Sequence, residues 1–162
     1  MSGASLIEKN KVAFLIVECP QDENTEQYLE LFKQHDVQRM ISIVSGYNKQ
    51  PFENAGISIN DLLFDDGSAP PREILAEFME IVHDHFKGTS PGPIAIHCQS
   101  GLGRAPVLVA VALIESGISA FDACTFIRKI RRGCFNNNQI KFLYGYKPGS
   151  YKPKSSGGCI AM

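Results

Sequence analysis

Ten consecutive apolar residues, Ala105 to Ile114 (APVLVAVALI), restrict this chain more than any other feature. The run is apolar all round, as a buried helix is, and reaches only about half of the ~18 residues a membrane span needs. It therefore reads as a helix buried in a core, continuing to Ser116 and stopped by Gly117. Just before it, Pro93 to His97 reads as a strand. Between strand and helix lie Cys98, Gln99, Ser100, Gly101, Leu102, Gly103 and Arg104. A cysteine, two glycines and an arginine thus occupy a tight connection between two buried elements.

The rest of the chain repeats that alternation. Lys11 to Val17 and Gln38 to Val44 read as strands, and residues 56–60 as a short third one. Thr25 is expected to cap a helix carrying Tyr28, Leu29, Leu31 and Phe32. Ile74, Leu75, Phe78, Ile81, Val82 and Phe86 recur at helical spacing after Pro71. Ser119 and Asp122 resemble a capping box for a helix reaching Arg132-Gly133, and an asparagine is expected to cap a last short helix in NNNQIKFLYGY. Such alternation implies an α/β fold, a central and mostly parallel sheet flanked by helices. Residues 1–146 are read as one domain and 147–162 as a basic, mobile tail. In such sheets, sites lie beyond the carboxyl ends of the strands, where the Cys98 turn falls.

Charge and cysteine usage narrow the setting. The net charge of −1 divides into −8 over residues 1–97 and +7 over residues 98–162. The carboxyl-terminal part is suited to an anion such as phosphate or a membrane surface, and no nucleic-acid partner is expected. Five cysteines at irregular spacing, with no CxxC, argue against a disulfide framework or a zinc site. No cofactor or metal is expected. The opening MSGASLIEKNK lacks the basic-then-apolar order of a signal peptide, so a cytosolic setting is expected.

A free thiol of ordinary acidity, pKa about 8.5, is only ~3% ionised at pH 7, and the thiolate is the nucleophile. Unpaired N–H groups and the positive dipole end of a helix amino terminus favour the anion. Gly101 and Gly103 permit a backbone nest of inward N–H groups, and Arg104 supplies a planar fork for two phosphate oxygens. The turn is thus a candidate cup for a tetrahedral dianion with sulfur at its base. His97 is expected to orient the loop by hydrogen bonding rather than to act as a base.

His97-Cys98, five residues, then Arg104 resembles the signature of cysteine-based protein phosphatases. The longer string HCQSGLGRAPVLVAVALIE, the loop FDDGSAPP with Ser68 as an insertion, FIRKIRRGCFNNNQ and the end CIAM resemble one subfamily, the prenylated type IVA protein tyrosine phosphatases, or phosphatases of regenerating liver. The resemblance implies a dual-specificity-like fold and hydrolysis through a cysteinyl phosphate. Cys98 is then the nucleophile, residues 97–104 the phosphate-binding loop, and Asp66, 32 residues before Cys98, the general acid. Asp65 and Gln139 are supporting residues. Leu62-Leu63 stand where the family carries Trp-Pro. Ala105 stands where most cysteine phosphatases have Ser or Thr; a lost hydrogen bond of ~1–3 kcal/mol implies hydrolysis slower by roughly 10- to 100-fold. The family's partner cysteine aligns with Val44; Cys19, at the end of the first strand, could substitute, but is read first as a packed residue.

Cys159-Ile160-Ala161-Met162 fits C-a-a-X prenylation, with Met suggesting farnesyl. One lipid chain binds a membrane only marginally, so a basic second signal is expected from Lys147, Lys152 and Lys154, with Arg128, Lys129, Arg131 and Arg132 adding to it. The expected location is the cytosolic face of a membrane. The expected partners are a phosphorylated protein and an anionic membrane surface. The resemblance also implies an alternative: a binding module for a magnesium transporter with paired nucleotide-binding domains, switched by phosphorylation or oxidation of Cys98. A weaker third reading, a phosphoinositide phosphatase, lacks the lysine expected in its loop.

Overall fold

The computed structural model describes residues 3–89 and 91–153. In chain order the elements are β1 Ser5–Lys9, β2 Val12–Val17, α1 Thr25–Gln34, β3 Arg39–Ser42, α2 Gln50–Asn54, β4 Ser58–Asp61, α3 Arg72–Phe86, β5 Ile94–His97, α4 Arg104–Glu115, α5 Ala120–Ile130 and α6 Asn137–Gly145. The five strands form one mixed sheet in the order β1-β2-β5-β3-β4. Strand β1 runs antiparallel to β2; the other three pairings are parallel.

Period-two alternation sorts the sheet's side chains onto two faces. Phe14, Ile16, Ile41, Ile43, Ile94 and Ile96 pack with α3, α4, α5 and α6. Leu15, Val17, Met40 and Ala95 pack with Tyr28 and Phe32 of α1 and with Phe52 of α2. Every residue of Ala105–Ile114 is buried, as the unbroken apolar run requires. Each large side chain buried there contributes about 1.5–3 kcal/mol. The β5–α4 connection is thereby fixed at both ends, in the middle strand of the sheet and in the most buried helix.

The structure differs from the sequence-based expectations at four places. First, β1 was unforeseen because only Ile7 of its five residues is buried, too little for a hydrophobic pattern. The hairpin to β2 turns at Asn10 and Lys11, both at positive φ, as a two-residue type I′ turn demands. Second, Thr25 does not cap α1. Asp22–Asn24 form a 3₁₀ turn, Asn24 holds the cap position, and the Thr25 hydroxyl donates to the Gln21 carbonyl at 2.9 Å. Third, α5 stops at Ile130 rather than Arg132-Gly133; Arg131 is extended, at φ −127° and ψ 95°.

Fourth, residues 147–153, read as the start of a mobile tail, pack on the body. Tyr151 is buried, and the Glu115 carboxylate accepts from the Gly149 N–H at 2.9 Å and from the Tyr146 hydroxyl. Arg72 donates to the Lys152 carbonyl at 3.3 Å. Lys154 and the CIAM segment lie outside the described residues. Among the described residues no helix is long and apolar enough to cross a membrane.

Candidate active site

The connection after β5 wraps around the Cys98 sulfur. Sγ accepts from the Gly101 N–H at 3.3 Å and from the Ala105 N–H, in the first turn of α4, at 3.5 Å. Gly101 is at φ +76°, and a Cβ there would lie 2.5 Å from Arg131 Nη2 and 3.1 Å from the Val17 carbonyl oxygen. No other residue type fits that position. The loop therefore delivers what the sequence predicts, amide donors and a helix amino terminus aimed at sulfur.

His97 is fully buried, and both its ring nitrogens are occupied. Nδ1 faces the Cys98 carbonyl at 3.3 Å and Nε2 the Ser42 hydroxyl at 2.8 Å, while Ser42 lies 2.5 Å from the Tyr47 hydroxyl. A carbonyl only accepts, so Nδ1 carries the proton, Nε2 accepts from Ser42, and Ser42 accepts from Tyr47. Burial, the dominant cause, lowers the His97 pKa to about 4 and raises that of Tyr47 to about 12. The imidazole is neutral at pH 7 and fixes the Cys98 backbone, the orienting part expected of it. Ser42 and Tyr47 were not foreseen.

That burial makes a testable demand. A histidine whose folded pKa lies below its unfolded value of about 6.5 binds its proton more readily once unfolded, so stability falls as pH drops from about 6.5 toward about 4. Between pH 7 and pH 5 the expected loss from His97 is about 2 kcal/mol. Urea unfolding at the two pH values checks this; His97→Asn should remove most of the difference between them.

Arg104 opens α4 and its side chain is 11% exposed. Nη1 donates to the Phe64 carbonyl at 2.9 Å, and Nε lies 3.7 Å from Asp66 Oδ1, whose side chain is 76% exposed. The DDG loop is rooted by buried Leu62, whose N–H donates to the Ser42 carbonyl at 2.8 Å. Leu62 thus anchors the loop in the core, while Leu63 is half exposed. Ser68 closes the loop by donating to the Asp65 carbonyl at 3.1 Å, and Asp65 itself is exposed to solvent.

Gln139 is placed by the cap of α6. Its Oε1 accepts from the Asn136 N–H at 2.9 Å while Asn136 Oδ1 accepts from the Gln139 N–H at 2.8 Å. Its Nε2 then lies beside Gly103, 3.0 Å from where a Cβ would stand. Cys98, Arg104, Asp66 and Gln139 are thus assembled about one loop. Gln99, Ser100 and Leu102 are exposed. An open groove of about 820 Å³ lined by Glu30, Lys33, Asp36, Arg39 and Ser58 holds none of these residues.

One basic residue, Arg131, is not at the surface, where the sequence suggests it. Arg131 is buried against the loop, and Arg128 donates to the Cys134 and Phe135 carbonyls at 2.9 and 3.1 Å. The Arg131 guanidinium is not free to face a membrane, whereas Arg128 is an exposed residue. Lys147, Lys152, Lys129 and Arg132 are exposed. Cys19 lies beside the loop, its N–H donating to the Gln99 carbonyl at 3.2 Å; burial, then the nearby Cys98, pushes its thiol pKa up. Cys124 and Cys134 are buried free thiols, and burial raises Cys134 to about 11.

Known proteins are similar to this chain in sequence and in fold. A family model described as "Polymorphic toxin system, DSP-PTPase phosphatase" matches residues 17–118. The probable protein tyrosine phosphatase type IVA A of Dictyostelium discoideum is 40% identical over 94% of this chain and 91% of its own length. The PRL-1 phosphatase of Drosophila melanogaster is 39% identical over 89% of this chain and 82% of its own. Among solved structures, a putative protein tyrosine phosphatase from Leishmania major superposes with a TM-score of 0.80 at 30% identity, covering 91% of this chain and 99% of the other. Identity of that extent, on this sheet and this loop, places the chain in the type IVA protein tyrosine phosphatase family of cysteine-based phosphatases.

Proposed function

We propose that the chain hydrolyses phosphotyrosine, or a comparable phosphate monoester, on a protein through a phosphate ester of Cys98. The observation that carries this reading is the pair of N–H donors on Cys98 Sγ, from Gly101 and Ala105, with Arg104 opening the same helix. The sulfur attacks phosphorus, the loop amides and the Arg104 fork hold the equatorial oxygens, and Asp66 gives its proton to the departing phenolate. Water then attacks the phosphocysteine, with Gln139 beside it and Asp66 now the base. Asp65 supports the acid loop.

Ala105 supplies no hydroxyl to the departing sulfur, so the second step is the slow one. Mass spectrometry of the protein after exposure to an aryl phosphate is expected to show a phosphoryl group on Cys98, with slow decay. Ala105→Ser is expected to speed that decay by roughly 10-fold or more and to shrink the steady-state phosphocysteine fraction. Rapid turnover of the unaltered protein without a burst would contradict the reading.

The tail extends the proposal to a membrane. A prenyl group on Cys159, assisted by exposed Lys147 and Lys152 and by Lys154, would hold the catalytic domain at the cytosolic face. Cys159→Ser is expected to move the protein from the membrane to the soluble fraction of cells expressing it; unchanged fractionation counts against lipidation. The slow second step also supports a second reading, in which a long-lived phosphocysteine switches the binding of a magnesium transporter. Slower phosphocysteine formation in Asp66→Ala with partner capture intact would favour catalysis as a separate role; capture that changes in step with the phosphocysteine would favour the switch.

A further inference from the structure

We infer that Arg131 is a positioning residue for the phosphate-binding loop, setting from behind the direction in which its amides point. This rests on the reading of the Cys98 loop as the oxyanion site. Arg131 is 8% exposed, and none of its contacts among the described residues is a carboxylate. Nε donates to the Gly101 carbonyl at 2.7 Å and Nη2 to the Ser100 carbonyl at 3.3 Å. Nη1 donates to the Gly3 carbonyl at 2.6 Å and the Ser5 hydroxyl at 3.0 Å, at the start of β1.

In a trans peptide the C=O and the following N–H point in opposite directions. Holding the Ser100 carbonyl outward turns the Gly101 N–H inward, and that N–H is the one that reaches Cys98 Sγ. Holding the Gly101 carbonyl outward does the same for the Leu102 N–H, which donates to the Ser100 hydroxyl at 3.2 Å, a partner an oxyanion can replace. One planar cation thus fixes two successive peptide planes of the nest and braces them on β1. The missing side chain at Gly101 is what admits it, since a Cβ there would meet Nη2. Lysine carries the same charge on a single point and cannot span three directions.

A buried cation without a carboxylate is costly. The dianion that the cup is shaped for brings negative charge to the other side of the same two peptides. Arg131 therefore favours the oxyanion-bound loop by charge as well as by geometry.

Binding of inorganic tungstate to the full chain, measured by calorimetry, tests this, alongside kcat and KM for an aryl phosphate and the melting temperature. Arg131→Lys is expected to weaken tungstate binding by about 10-fold, and Arg131→Met by up to about 100-fold, with kcat/KM falling in parallel. Ser5→Ala, which removes one acceptor remote from the loop, is expected to change either by less than about threefold. Lower melting temperatures with tungstate affinity unchanged in the folded variants would overturn the inference and leave Arg131 a plain strut. Should Arg131→Met not fold, the lysine variant decides alone. If the unaltered protein takes no tungstate, the oxyanion reading of the loop falls and this inference with it; if it does and the variants match it, only this inference falls.

Discussion

Cys98→Ser is expected to lower the hydrolysis of a phosphotyrosine peptide by at least about 10⁴-fold while leaving tungstate affinity within a few-fold of the parent protein. A serine hydroxyl is a poor nucleophile unless a base removes its proton. The nearest candidate is His97, and the structure disqualifies it. Its Nδ1 proton is given to the Cys98 carbonyl, its Nε2 lone pair is taken by Ser42, and its burial lowers its pKa to about 4. The oxygen would therefore stay protonated in a loop that has no means of ionising it. The cup itself is untouched, because Gly101, Ala105 and Arg104 remain. A Cys98→Ser protein that retains more than a tenth of the activity would mean that the reaction does not pass through this sulfur. Loss of tungstate binding together with activity would mean that the substitution had damaged the loop.

Why this much of the site was readable in advance, and no more, follows from where its parts reside. Cys98, the proposed nucleophile, the glycines and Arg104 fall within seven consecutive residues, 98–104, between an apolar strand and an apolar helix, so local pattern carries them. Asp66 was accessible because its loop has a recognisable string. Arg131 was not. It stands in RKIRR, which reads as a solvated basic face, and its role depends on carbonyls of Gly3, Ser100 and Gly101, far away in the chain. A carbonyl is common to every residue and leaves no trace in sequence. Ser42 and Tyr47 were hidden similarly, since their use lies in the pairing of β3 with β5, which sets Ser42 opposite His97. The mostly parallel character of the sheet followed from the alternation of strands and helices; its order did not, and β1, with a single buried side chain, gives no period to detect. Residues 147–153 are polar and rich in Pro and Gly, yet Glu115 at the end of α4 supplies acceptors that hold them.

Under the proposed mechanism Asp66 is the general acid, and its removal should discriminate among substrates. Asp66→Ala is expected to slow phosphocysteine formation from a phosphotyrosine peptide by about 10²- to 10³-fold. With p-nitrophenyl phosphate, whose leaving group departs without a proton, the loss should be under about 10-fold. The geometry supports a direct part in the reaction. Asp66 Oδ1 lies 3.7 Å from Arg104 Nε, and the same guanidinium holds the Phe64 carbonyl at the base of the loop. Arg104 thus links the acid loop to the phosphate cup. Because Asp66 is largely exposed, its pairing with Arg104 adds little to stability, and the alanine variant should fold normally. Rapid-quench measurement of the phosphocysteine with the two substrates separates the possibilities. Equal losses on both would show that Asp66 only orders the loop or Arg104; no loss on the peptide would pass the proton to another group, with adjacent, solvent-facing Asp65 the first to replace by alanine.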